Sequence, residues 1–339
     1  MKREHCKYPR TLEVTVPGTS LAGNPLGDPA ERRVPVYLPP SYDGKKRFGV
    51  IYLLAGFAST GHSFLNYSFG RQNIPEMADS LIESGRMQES IIVMPDCMTR
   101  YGGSQYVDSI ATGNYESYLV DEVVPFIDRT LLTIATRQHR AVAGKSSGGF
   151  GALRLGMRHP ELFAAVACHS GDMHFELCYK PGFPAAARLL EPYGGNVMGF
   201  LAAYEEARKK PQREFALLEL LAICAAYSPD SATLGNIRLP FTPYTCEPVE
   251  SVWQEWLRFD PVEMLEQPHY QEALGSLDLL FLDCGTLDEY NLQFGHRLFS
   301  AKASKYGITH RYEEFMDSHA STSYRYEVSL PALSEVIAG

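Results

Sequence analysis

Residues Ala141 to Leu153 read Ala-Val-Ala-Gly-Lys-Ser-Ser-Gly-Gly-Phe-Gly-Ala-Leu, an apolar run that turns abruptly into a helical pattern with Ser146 at the apex. Gly144, Ser146 and Gly148 fit the G-x-S-x-G elbow, in which small flanking residues let a serine hold a strained turn and lift its hydroxyl above a sheet. Gly149 and Gly151 extend the small stripe to where a helix packs close on the preceding strand. The five-residue match is weak on composition alone, because glycine and serine are common. Gly-Lys-Ser also ends the phosphate-binding P-loop, but that motif needs a glycine five residues before Gly144, where this chain has His139. The run into Gly144 also leaves no room for a loop to wrap a phosphate.

The rest of the chain reads as strands and helices in alternation around the elbow. Thr11 to Val16 and Arg33 to Leu38 are expected to form a leading antiparallel pair about a Gly/Pro-rich turn. Further strands are expected at Phe48 to Leu54, Ser90 to Asp96, Phe163 to His169, Leu277 to Leu282 and His310 to Phe315. Helices are expected at Ile74 to Ser84, Asn114 to Leu131 with Pro125 able to kink it, Asn291 to Tyr306 and Ser321 to Ile337. This order implies an α/β fold with a mainly parallel central sheet flanked by helices. From Met173 to Phe259 the alternation lapses into aromatic, Pro/Gly-rich and helical pieces, such as Val197 to Lys209 and Arg213 to Ala226. The expected organisation is one domain over residues 1–339, with 173–259 as an inserted, mainly helical cap over the C-terminal edge of the sheet.

Charge narrows the partners. Lys plus Arg number 31 against 40 Asp plus Glu, a net charge of −9, which disfavours nucleic acid and anionic membrane as partners. No apolar run approaches the ~18 residues of a membrane span. Seven cysteines form an odd set with no C-x-x-C pair, so reduced thiols are expected. Met1 to Arg10 is polar and basic with no apolar run after it, so a cytoplasmic location is expected, secretion staying open if a leader was removed. Oligomeric state, including a homo-oligomer, is left open.

A serine hydroxyl is a poor nucleophile until a histidine takes its proton, and that imidazole needs an acid to hold its tautomer. In a hydrolase sheet the acid and then the histidine follow the serine, each in a loop just past a strand. After Leu277 to Leu282 come Asp283, Asp288 and Glu289; after His310 to Phe315 comes His319. Asp283 lies at the strand's end, whereas Asp288 lies beyond a turn from which it can reach back, so Asp288 is chosen and Glu289 kept in reserve. The loop Ala55 to Gly61, after a strand, presents backbone N–H groups suited to an anion. His169 and His174 lack metal-site spacing, and neither a metal nor a cofactor is expected. Trp253, Trp256 and the tyrosines between Tyr179 and Tyr244 either line an acyl pocket or form the inserted segment's own core. On the pocket reading, trimming either tryptophan shifts the preferred ester size.

Several stretches together resemble the esterase D and enterochelin esterase-like family of α/β hydrolases, which includes feruloyl esterases and mycolyltransferases. They are Val36 to Tyr42, Ile51 to Phe57, Gly144 to Leu153, His159 to Phe163 and Asp283 to Asp288, and the likeness covers most of 11–172 and 260–337. The resemblance implies a serine carboxylesterase acting on small-molecule esters with Ser146, Asp288 and His319 as its triad. It also implies an oxyanion hole formed by the N–H groups of Phe57 and Ser147. Ala55 stands where the family often has a histidine, and 173–259 is longer than the usual connection, which opens the question of substrate. Alternatives within the class are an S-formylglutathione hydrolase-like thioesterase or an acyltransferase. Outside it stands a catalytically inactive hydrolase fold that binds a ligand.

Overall fold

The structure, a computed structural model, describes residues 11–230, 232 and 237–339. The N-terminal stretch 1–10, with Cys6, lies outside the described residues. Eight strands form one sheet: β1 (Thr11–Val16), β2 (Arg32–Tyr37), β3 (Val50–Leu54), β4 (Ile91–Val93), β5 (Arg140–Lys145), β6 (Ala165–His169), β7 (Leu279–Gly285) and β8 (Arg311–Phe315). Their spatial order is β1-β2-β4-β3-β5-β6-β7-β8. The leading pair is antiparallel, with Thr11 opposite Tyr37, and β2 also runs against β4. Every other neighbouring pair is parallel.

The central strands are mainly apolar because both of their faces are covered, the polar exceptions lying near the strand ends at Arg140, Lys145, His169 and Asp283. Val50, Tyr52 and Leu54 of β3, Val142 of β5, Val166 of β6 and Leu280 of β7 enter a core on one face. Ile51 and Leu53, Ala141 and Ala143, Ala165 and Ala167, and Phe281 enter a second core on the other. Helices α1 (Ile74–Glu83) and, near the C-terminus, Tyr326–Ile337 supply Met77, Leu81, Leu330 and Leu333 to that second core. α1 begins in a capping box, with the Asn73 side chain accepting from the Glu76 N–H and Glu76 from the Asn73 N–H.

Two elements differ from the sequence expectation. β4 is only three residues long: the Met94 N–H still reaches the Pro35 carbonyl of β2, but Pro35 has no N–H to return the bond and Pro95 none to continue the ladder. The helix expected over Asn114 to Leu131 does not break at Pro125. It runs as Tyr115–Ser117, widens to a π-helical stretch at Tyr118–Val123, and returns to α-helix at Val124–Thr130. Pro125 offers no N–H to the Asp121 carbonyl and its ring crowds that group, and the wider turn relieves the clash.

Between β6 and β7 the chain leaves the sheet for a run of helices, including Phe183–Leu190, Val197–Glu206, α2 (Gln212–Tyr227) and Glu250–Leu257. These close a third hydrophobic core around Phe183, Phe200, Leu221, Trp253 and Trp256, into which Phe150 of the elbow helix also inserts. The segment is therefore packed onto the helix that follows Ser146. Among the described residues no helix is long and apolar enough to cross a membrane.

Candidate active site

β5 runs straight into the helix Ser147–Arg158, and Ser146 sits between them at φ 59°, ψ −129°, a conformation that L-residues rarely hold. The approach of strand and helix is possible only without side chains at two flanking positions. A Cβ on Gly144 would lie 2.2 Å from the Gly148 carbonyl oxygen, and one on Gly148 would lie 2.1 Å from that of Leu54. The Ser146 N–H donates to the His169 carbonyl at 2.9 Å, which ties the apex to β6.

The three residues that sequence order singled out meet here. Ser146 Oγ is 3.0 Å from His319 Nε2, and His319 Nδ1 is 2.8 Å from Asp288 Oδ2. An ionised carboxylate can only accept, which assigns the proton to Nδ1 and leaves Nε2 to accept from the serine hydroxyl. Asp288 is buried, and its other oxygen accepts the Tyr290 N–H at 2.9 Å. The Tyr290 ring stands edge-on against the imidazole, centroids 4.8 Å apart. The reserve acid, Glu289, holds the loop instead: its carboxylate accepts the backbone N–H of His319 at 2.8 Å.

Asp283 belongs to a different assembly. Its Oδ1 lies 2.7 Å from His169 Nδ1, the other ring nitrogen meets Ser329 Oγ at 2.8 Å, and Oδ2 accepts from Arg325 Nε at 2.7 Å. This buried Ser-His-Asp arrangement mimics the first in residue type, yet all three members are closed off from solvent. Burial pushes the Asp283 carboxyl up, but His169 and Arg325 outweigh it and hold the group below its ordinary range. Sequence reading set His169 aside as no metal ligand and did not see this role; its position at the end of β6, level with Asp283 in the neighbouring strand, was the available signal.

The loop after β3 lies against the elbow. A Cβ on Gly56 would be 3.3 Å from the Lys145 carbonyl oxygen and 3.5 Å from Ser146 Cβ. Tyr106 donates its hydroxyl to the Ala55 carbonyl, and the Ala58 N–H donates to Gly102 at 2.7 Å. The Phe57 ring rests on Gly102 and Gly103, where added Cβ atoms would come within 2.7 and 2.8 Å of it. Among the described residues no acceptor takes the backbone N–H of Phe57 or of Ser147.

Ser146 and His319 open into a cavity of about 550 Å³ whose walls include Phe57, Tyr179, Phe215, Leu220 and Ile223. That volume suits a small or medium organic group. Trp253 and Trp256 do not line it, which corrects the pocket reading of these residues. Both are fully buried, and their indole N–H groups donate to Glu176 at 2.8 Å and to Ser228 at 2.9 Å. An aromatic-rich segment with satisfied indoles is building its own core. Phe215→Ala and Leu220→Ala, at the cavity wall, are therefore expected to change the ranking of esters by size, by roughly tenfold in relative kcat/KM for the bulkier members. Trp256→Ala should lower stability and leave that ranking alone. Kinetics across a graded ester series on the folded variants checks this, and an unchanged ranking in the two wall variants would remove the cavity from the account of selectivity.

Comparison with known proteins agrees with this architecture. Over 144 residues the chain is 32% identical to an endo-1,4-beta-xylanase/feruloyl esterase of Xylanibacter ruminicola, covering 41% of this chain and 19% of that protein. It is 33% identical over 140 residues to an esterase of Mycobacterium tuberculosis, covering 41% of this chain and 28% of the relative. The match thus spans less than a third of either relative's length. Among solved structures, a ferulic acid esterase superposes with a TM-score of 0.62 at 20% identity, covering 96% of this chain and 98% of its own. An S-formylglutathione hydrolase from Staphylococcus aureus superposes at 0.55 with 14% identity, covering 97% and 99%. These structural likenesses speak for the α/β-hydrolase fold. The model of the putative esterase family matches residues 29–328, nearly the whole sheet and both loops that carry the acid and the histidine, and the chain belongs to that family.

Proposed function

We propose that the protein is a serine carboxylesterase that hydrolyses small to medium carboxylic esters through an acyl-enzyme on Ser146. The observation that carries this reading is the continuous hydrogen-bond chain from Ser146 Oγ through His319 to buried Asp288, opening into a largely apolar cavity. In this mechanism His319 Nε2 takes the hydroxyl proton as Oγ attacks the ester carbonyl, and Asp288 stabilises the imidazolium that forms. Charge that develops on the carbonyl oxygen is received by the N–H groups of Phe57 and Ser147, each such donor contributing about 10²–10³ in rate. His319 then gives its proton to the departing alkoxide. A water, deprotonated by the same nitrogen, attacks the acyl-enzyme and releases the acid, and the proton returns to Ser146. The segment 173–259 acts in this reading as a cap within a single hydrolase unit, supplying Phe215, Leu220 and Ile223 to the substrate's surroundings.

A fluorophosphonate probe tests the assignment directly, because it reacts only with an activated serine. Native protein should be labelled on Ser146, as located by peptide mass analysis. Absence of label on folded protein would favour an inactive hydrolase fold that only binds its ligand.

A further inference from the structure

Helix α2 turns one stripe toward the cavity: Ala216, Glu219, Leu220 and Ile223, at the i, i+3, i+4, i+7 spacing of a single helical face. Three members of that stripe are apolar, and one carries a carboxyl. A glutamate stands out there, since its neighbours on the helix, Leu217, Leu218, Leu220, Leu221 and Ile223, all pack into the segment's core. Among the described residues Glu219 has no hydrogen-bond or ion-pair partner. Burial first, and then the neighbouring Asp172 carboxyl, push it up to about 7. Asp172 borders the same cavity but is already engaged, accepting from the Tyr179 hydroxyl at 2.9 Å and from Gln105 Nε2 at 3.1 Å. The other charged groups at the cavity wall are Lys145 and Arg213.

A partly desolvated carboxyl with no partner is unfavourable, and a substrate group that donates a hydrogen bond to it recovers that cost on binding. A few convergent polar groups in a largely apolar pocket fix the orientation and the identity of what it holds, and here, among the described residues, Glu219 is the wall carboxyl that no protein group engages, whereas Asp172 is already taken by Tyr179 and Gln105. We propose that Glu219 accepts a hydrogen bond from a hydroxyl or amine on the otherwise apolar group that fills this cavity, so that the preferred substrates are esters bearing such a donor. The inference rests on the esterase reading above, and it assigns Glu219 to specificity rather than to the chemistry at Ser146. A site built around a donor rejects analogues that lack it, because the half-buried carboxyl is then covered by the ligand and left unpaired.

The test uses the full chain and two ester series of graded length. One varies the acyl end of p-nitrophenyl alkanoates, the other the alcohol end of alkyl acetates, and each ends in methyl, methoxy, hydroxyl or amine. In at least one series, native protein should prefer the hydroxyl or amine over the methoxy ester of equal length by roughly tenfold or more in kcat/KM. Glu219→Leu should bring that ratio close to one. Glu219→Gln, which keeps the shape and an acceptor oxygen but loses the charge, should retain the hydroxyl preference and lose any added preference for the amine. A ratio near one in both series for the native protein, or a preference that survives in folded Glu219→Leu, overturns the proposal. Turnover without donor preference would count against Glu219 alone, whereas failure to turn over any ester together with failure to label Ser146 would count against the esterase reading itself.

Discussion

Ser146→Ala should lower kcat/KM for a short p-nitrophenyl ester by about 10⁴-fold or more while leaving the unfolding midpoint close to that of the native protein. The size of the loss follows from what the hydroxyl does: without Oγ there is no atom for His319 to activate, and triad members act as a unit whose single removal costs nearly as much as removing all of them. Stability should barely respond, for two reasons. Alanine keeps the Cβ, so the strained backbone at φ 59° is held as before, and the hydrogen bond that disappears is one of the ordinary kind, about 1 kcal/mol in net terms. His319 stays anchored from the other side by Asp288 and through its backbone N–H by Glu289. The check is steady-state kinetics alongside thermal unfolding. Activity within tenfold of native in the folded variant would rule Ser146 out as the nucleophile.

The second large effect separates two aspartates only five residues apart. Asp283→Ala should cost roughly 3–5 kcal/mol of stability, because it leaves the buried His169 ring and the Arg325 guanidinium facing an empty site with no compensating charge. Arg325 also pairs with Glu313 on β8, and Ser329 lies on the C-terminal helix, so the loss should loosen the junction of β6, β7, β8 and that helix together. Asp288→Asn should behave in the opposite way, keeping most of the stability and losing about 10⁴ in rate, since an amide holds the imidazole in the wrong tautomer. Chemical denaturation of both variants, with kinetics on each, decides the matter. Equal stability of Asp283→Ala and native protein would show that the buried network does not brace the sheet.

How much of this could be read from the residues depends on how local the determining physics is. The central strands were legible because burial on both faces writes a nearly continuous apolar run, as in Val50–Leu54 and in the first four residues of Ala165–His169. The elbow was legible because its glycines answer to contacts within a few residues and one neighbouring strand. His319 and Asp288 could be singled out by their order and their place after strands, and the structure brings both to Ser146. Asp283 looked like a weaker rival for the same task, since only the lateral register of β6 and β7 reveals its engagement with His169. The two tryptophans left two readings open for the same reason: aromatic content says that something is being buried, but not whether ligand or protein does the burying. Glu219 was invisible within the helix expected over 213–226, because which stripe of a helix faces a cavity is fixed by tertiary placement and not by its own periodicity. The π-helical stretch before Pro125 shows a further limit, as the sequence marks the fault but not the way in which the backbone absorbs it.

The seat of Phe57 has a bearing on how far such a chain can be rebuilt. Its backbone belongs to the loop beside Ser146, while its ring, propped on Gly102 and Gly103, meets the ring of Phe215 with centroids 5.5 Å apart. The run of helices leaves and rejoins the sheet between β6 and β7 and so looks like an interchangeable module, a part that recombination could trade between relatives without disturbing the machinery beneath. The ring contact argues otherwise. A transplanted helical segment that lacks an aromatic in place of Phe215 removes one wall of the Phe57 seat, so a donor segment and its recipient are compatible only when these two positions travel as a pair.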